Sequence, residues 1–243
     1  MRKILIIIVI ILATLLITFI LVNEPRPDGK SGVEAEQLAN KILTAVNYQG
    51  WTKVGAVKWS FRDSHHFLWD KKRNLVELLW DDYKVLLNPE TQAGLAYQNE
   101  ALVAGKETED LLEKAWSYFA NDSFWLVAPF KLRDPGTKRE LVKTDRGDAL
   151  LVTYQSGGVT PGDSYLWIVD DEGLPVAWKM WVNIIPIGGM EFSWESWDTY
   201  TNGVKLASLH SGMFELEITG IATADTILEF TSGQDPFSAL LKN

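Results

Sequence analysis

The stretch that decides the reading of this chain is Tyr118–Gly136, Tyr-Phe-Ala-Asn-Asp-Ser-Phe-Trp-Leu-Val-Ala-Pro-Phe-Lys-Leu-Arg-Asp-Pro-Gly. Phe124 to Phe130 is an unbroken apolar run, too greasy for an ordinary surface loop. Pro129 cannot donate to a central ladder, so the run is a poor interior strand. A helical pattern precedes it and hairpins follow it. The stretch therefore reads as an apolar connector between a helical insert and a sheet, acting either as a plug or lid or as a closure of the core beneath a loop.

Upstream of the connector, Leu111, Leu112, Ala115, Trp116 and Phe119 share one helical face opposite Glu109, Asp110, Glu113 and Lys114, which predicts a helix over Gly105–Phe119. An earlier helix is expected from Val33 to about Asn47, opened by a Ser31-x-x-Glu34 capping box and carrying Ala35, Leu38, Ala39, Ile42, Leu43 and Val46 at helical spacing. Between the two, Val57, Trp59 and Phe61 alternate with Ala56, Lys58 and Ser60, the period of a sheet with one apolar face. Turn residues then separate His65–Trp69, Leu75–Trp80 and Tyr83–Leu87. After the connector, hairpins resume at Arg139–Thr144 and Ala149–Tyr154. A glycine-containing loop spans Gln155–Asp163, and Ser164–Val169, Leu174–Asn183, Met190–Tyr200, Val204–His210 and Met213–Ala222 follow.

About a dozen short strands with two inserted helices predict a mainly β (α+β) fold: a large curved antiparallel sheet or incomplete β-barrel covered by helices. A sandwich is the competing architecture.

The N-terminus is of another kind. Ile4–Val22 is a run of nineteen uncharged residues behind Arg2 and Lys3, long enough to cross a bilayer of ~30 Å, and no small-x-small cleavage site follows it. Residues 1–22 read as an uncleaved transmembrane signal anchor that keeps Arg2 and Lys3 in the cytoplasm. The remainder is then placed on the periplasmic or extracellular side of the cell's inner membrane. Residues 23–32, rich in proline, glycine and charge, read as a linker, and residues 33–243 as one domain.

Composition excludes several classes of function. The net charge of -9 argues against nucleic acid as a partner, and the absence of cysteine removes disulfides, thiolate catalysis, Cys-ligated zinc and a lipidated N-terminal cysteine. His65, His66 and His210 are the histidines, and adjacent strand residues point to opposite faces, so no metal site is expected. No Gly-x-Ser-x-Gly elbow occurs.

Two carboxylate pairs bear on glycoside chemistry, the alternative function to ligand binding. Glu191 and Glu195, four apart on a strand, would sit ~13 Å from each other, beyond the ~5.5 Å and ~6.5–9.5 Å arrangements such enzymes use. Glu215 and Glu217 would be ~7 Å apart, yet Phe214, Leu216 and Ile218 claim the opposite, buried face and leave both glutamates to solvent. No cofactor is implied, and the chain reads as a non-enzyme.

Eleven tryptophans remain to be placed. Together with the second apolar connector, Ile184–Met190, they suggest a cavity mouth or contact patch for something greasy. The expected wall and mouth residues are Trp59, Phe61, Trp69, Trp80, Phe124, Trp125, Phe130, Trp178 and Ile187.

Trp59-Ser-Phe61 followed by His66-Phe-Leu-Trp69-Asp70, Asn121-Asp-Ser-Phe-Trp-Leu-Val-Ala-Pro-Phe130 and the order helix, meander, helix, connector, hairpins resemble the LolA/LolB-type lipoprotein-carrier superfamily over Val33 to about Phe230. The resemblance implies an incomplete antiparallel barrel, covered by helices, that encloses a hydrophobic cavity for acyl chains. Those carriers are soluble or lipid-anchored. A spanning run without cysteine points instead to a tethered domain that binds lipid or an acylated protein.

Overall fold

The computed structural model describes Thr14 and residues 22–242. The expected membrane anchor therefore lies outside the described residues except at Thr14 and Val22. Among the described residues no helix is long and apolar enough to cross a membrane.

Helix α1 (Val33–Ala45) buries Ala35, Ala39, Ile42 and Leu43, the expected stripe, and a short helix α2 (Tyr48–Trp51) follows. The strands β1 (Ala56–Phe61), β2 (His65–Asp70), β3 (Leu75–Trp80) and β4 (Tyr83–Leu87) form where alternation predicts them. In β1 the residues Val57, Trp59 and Phe61 are buried while Lys58 is exposed. Two further strands that the pattern did not announce, β5 (Gly94–Gln98) and β6 (Ala101–Leu102), extend the meander.

Helix α3 corrects the sequence reading. It runs from Lys106 to Val127 without a break, and a 3-10 turn (Ala128–Phe130) takes the proline, so the connector is helical over most of its apolar run. Leu111, Ala115, Phe119, Asp122 and Leu126 are all buried and advance by three or four residues, the spacing of a single helical face. The buried face simply continues through the polar triplet Asn121-Asp122-Ser123. Trp125, Leu126 and Phe130 join the main core, so the stretch closes the core.

The remaining strands are β7 (Thr137–Thr144), β8 (Gly147–Tyr154), β9 (Ser164–Val169), β10 (Pro175–Trp181), β11 (Met190–Ser193), β12 (Glu195–Thr199), β13 (Lys205–Ser211) and β14 (Glu215–Ala224). They build two antiparallel sheets. One has nine strands in the order β12-β13-β14-β1-β2-β3-β4-β5-β6, and the other has five in the order β11-β10-β9-β8-β7. No pairing joins β6 to β7 among the described residues, so the barrel is not closed.

The sheets meet at one residue. Met190–Tyr200, expected as a single strand, divides at Trp194, with β11 before it in one sheet and β12 after it in the other. Trp194 N donates to Val176 O at 2.9 Å, and Ser211 N donates to Ser193 Oγ at 2.8 Å, which ties the corner to β10 and β13. Both sheets, α1 and α3 share one core.

The stretch read as a linker is docked. Glu24 binds Lys179 Nζ at 2.7 Å, Arg26 reaches Ser164 Oγ at 3.0 Å and Glu140 at 3.1 Å, and Lys30 forms an antiparallel bridge with Leu141. Pro25 and Pro27 line a shallow groove with Val142, Leu166 and Ile168 on the outer face of the five-stranded sheet. Proline holds φ near the extended value and needs no ladder partner, which suits a strap that touches the sheet mainly through side chains.

A second segment, after Ala224, crosses the outer face of the nine-stranded sheet. Ile227 and Phe237 are buried there against Ala56, Leu75 and Leu86, and Arg73 clamps Asp235 through two bonds of 2.7 and 2.8 Å.

Candidate functional site

Beneath the C-terminal half of α3 the two sheets leave a cavity of about 810 Å³. Its lining follows from the aromatic phase of the five-stranded sheet. Tyr154, Tyr165, Trp178 and Met180 point inward, and Phe124 and Trp125 descend from α3 to meet them. Phe124 stacks on Trp178 at 5.7 Å and lies 4.9 Å from Tyr165, while Trp125 meets Trp178 edge-on at 5.0 Å and Phe192 at 5.1 Å. Rings at such tilted and offset geometries form rigid walls, each wall atom already holding its own packing partners. They bound the space between them.

Two of the wall residues carry buried polar atoms, Tyr154 Oη and Trp178 Nε1, that have no hydrogen-bond partner among the described residues. Burial pushes the phenols of Tyr154 and Tyr165 well above their ordinary range, so both stay protonated.

The mouth is built from two loops pinned together. Asp163, itself buried, accepts from Asn183 N at 2.9 Å and from the Thr160 hydroxyl, and Asn183 Nδ2 donates to Pro161 O at 2.8 Å. This holds the loop after β8 against the loop after β10. On the opposite rim, the Arg62 guanidinium lies 5.9 Å from the Phe214 ring centre.

At the edge of the cavity sits the one buried carboxylate of α3. Asp122 Oδ2 meets His65 Nδ1 at 2.6 Å, Asn121 Nδ2 donates to Asp122 Oδ1 at 2.9 Å, and the His65 ring stacks on Tyr118 at 4.0 Å. Burial raises the Asp122 pKa, while the bonds from His65 and Asn121 pull it back. Among the described residues no hydroxyl is hydrogen-bonded to His65. The pair fastens α3 to β2.

No established protein-family signature and no curated protein sequence matches this chain.

Of the nine expected wall residues, Phe61, Phe124, Trp125 and Trp178 line the cavity. The others stand elsewhere. Trp59 stacks on Phe67 at 4.6 Å, Phe130 on Trp51 at 4.6 Å and Trp80 on Tyr83 at 5.4 Å, while Trp69 meets Phe119 edge-on at 5.4 Å, so these four belong to the core packing. Ile187 is half-buried in the loop after β10, off the cavity wall. Tyr154, Tyr165, Met180 and Phe192 were missed, although a signal existed: each alternates in phase with a buried neighbour such as Val152, Trp167 or Trp194.

The histidines and glutamates fall as follows. His65 and His66 point to opposite faces, with His66 Nδ1 bonded to Ser60 Oγ at 2.7 Å. His210 is fully buried, its Nδ1 facing Ser193 O at 3.0 Å. Among the described residues no three His, Asp or Glu side chains gather to hold a metal. Glu191 is engaged by Arg146 at 2.5 Å, and Glu215 and Glu217 are exposed while Leu216 and Ile218 are buried. Phe214 departs from expectation. It precedes β14, is 46% exposed and stacks edge-on against Phe192 at the cavity rim.

Proposed function

We propose that this chain is an exported, membrane-tethered domain that holds an apolar ligand, the acyl chains of a lipid or lipoprotein, in the cavity beneath α3 and performs no chemistry on it. The observation that carries the reading is the cavity of about 810 Å³ walled by Phe124, Tyr165 and Trp178, within the size range of small-molecule sites. Methylene groups gain ~0.8 kcal/mol each on burial, so ten of them supply ~8 kcal/mol, enough for micromolar retention. The order of elements, helix then meander then helix then hairpins, supports a carrier of the LolA/LolB type. In this chain the tether would keep the carrier at one membrane, as a receiver or sensor of lipid. The described tryptophans are half-buried or buried, which leaves few stacking platforms for a sugar.

The test is native mass spectrometry of the full chain released from membranes into detergent. A reproducible added mass, removed by organic solvent and identified as lipid, is the expected result. Ala120 lies on α3 at the cavity wall, and Ala120→Trp should fill the space and cut lipid occupancy by about tenfold or more at unchanged circular dichroism. A bare chain that also fails to take up added lipid would refute the assignment.

A further inference from the structure

We infer that the mouth of the cavity is held against the membrane surface from which the chain emerges, so that its apolar rim sits in the lipid interface and the cavity exchanges acyl chains with that bilayer. This rests on the proposed lipid-binding reading and adds where the ligand enters.

The uncharged segment Ile4–Val22 gives way to Asn23 and Glu24, and both are fastened at once to the loop after β10. Gly188 N donates to Asn23 Oδ1 at 2.8 Å, Glu24 N donates to Gly188 O at 3.0 Å, and Trp181 Nε1 donates to Glu24 O at 2.8 Å. Two residues of extended chain reach only ~7 Å. The clasp is too tight for a swinging tether. A Cβ on Gly188 would stand 2.4 Å from Trp181 Cδ1 and 2.8 Å from Glu24 O, so the strand of the strap and the loop fit only through glycine.

That same loop forms the cavity wall. Val182, Ile184 and Ile185 line it, and the Asp163 bonds carry the neighbouring loop along. The membrane end of the chain and the mouth of the cavity are thus parts of one clasped unit.

The rim has the composition of a surface that meets lipid. Ile184 is 72% exposed, Met213 70%, Phe214 46% and Val159 45%. Ile184, Phe214 and Val159 all border the same opening, and Met213 adjoins Phe214 in the turn before β14. Apolar side chains grouped around an opening mark a contact surface. Arg62, lying against Phe214 at the same opening, adds a cation that anionic headgroups would attract. A protein partner would satisfy the apolar rim equally, but the clasp at Asn23 and Glu24 places the bilayer there without any further component.

The chain has no cysteine, so single cysteines report cleanly. The full chain, reconstituted into phosphatidylethanolamine and phosphatidylglycerol vesicles, would carry an environment-sensitive fluorophore at Ile184→Cys, Val159→Cys or Met213→Cys. Glu172→Cys, in the exposed turn between β9 and β10 at the other end of that sheet, is the reference. Quenching by lipids spin-labelled near the interface should be stronger at the three rim positions than at Glu172 by about threefold or more. Equal, weak quenching at all four would overturn the inference, as would a rim shielded from both water and the lipid quencher, which would assign the surface to a protein. Native mass spectrometry of the same samples separates the two claims. A lipid adduct with an unquenched rim removes the membrane-facing mouth and leaves the binding reading intact, whereas a quenched rim without an adduct retains the contact and removes the cargo.

Discussion

Trp194→Ala is expected to lower the unfolding free energy by about 3–5 kcal/mol, the range for removing a large buried aromatic. Trp194 is 2% exposed and touches four rings: Trp178 at 5.0 Å, Trp167 at 5.2 Å, Trp197 at 5.8 Å and His210 at 4.5 Å. None of these neighbours can collapse into the space. Trp167 and Trp178 are fixed in the five-stranded sheet, and His210 belongs to β13 of the other. The substitution therefore acts on the junction itself and should loosen the cavity wall at Trp178. Urea denaturation followed by far-ultraviolet circular dichroism checks the magnitude. Trp197→Ala is the comparison, because Trp197 is only half-buried and is held by bonds of 3.1 Å from Nε1 to Pro175 O and Trp194 O. Its loss should cost about 1–2 kcal/mol. If both variants cost the same, the corner is not where the sheets are coupled.

Much of this architecture could be read from period and turn chemistry. Strands β1 to β4, β7 to β10, β13 and β14 lie where alternation and turn residues put them, because the inward face of each packs on the shared core. Strands β5 and β6 escaped. Gly94-Leu-Ala-Tyr-Gln98 is short, begins with glycine and has no charged residue to mark an outer face. The end of α3 escaped for a different reason: Asp122 looks like a helix stop until it is given His65, a partner fifty-seven residues away. The strap was misread on the same ground. Its prolines and charges have a linker's composition, and only Lys179, Ser164 and Glu140, all more than one hundred residues distant, turn it into a docked segment.

The choice between one curved sheet and two sheets depended on a single residue. Nothing in Phe-Ser-Trp-Glu-Ser distinguishes a strand that continues from one that changes sheet at Trp194. The cavity was legible only in part. Aromatic phase shows which side chains face inward, but whether they fill the interior or leave space depends on how far apart the sheets stand. Four of the nine expected wall residues reached that space, and the other tryptophans and Phe130 were consumed by packing. Trp69, Trp116, Trp181 and Trp197 stay half-buried, and the other tryptophans are buried.

Acid should destabilise the fold through His210 well before the carboxylates are exhausted. His210 is fully buried between Trp125 and Trp194, and loss of hydration drives its pKa from 6.5 down to about 4, only partly offset by the Ser193 and Trp125 carbonyls and the charge of Glu195. A depressed histidine means that between pH 6.5 and about 4 the unfolded chain binds a proton that the folded chain refuses. Stability is therefore complete above pH 6.5 and falls as the pH drops toward 4, by roughly 3 kcal/mol in all at ~1.4 kcal/mol for each pH unit. Asp122 works in the other direction. Its raised pKa means that the folded state takes up a proton more readily than the unfolded one, so its contribution improves as the pH falls. The His210 share is isolated by difference. His210→Phe keeps a ring between Trp125 and Trp194 but cannot titrate, so its stability should change less steeply than wild type between pH 6.5 and 4, whatever its absolute value. Denaturation midpoints measured across that interval decide the matter, and parallel curves for the two proteins would mean that His210 is protonated in the folded core.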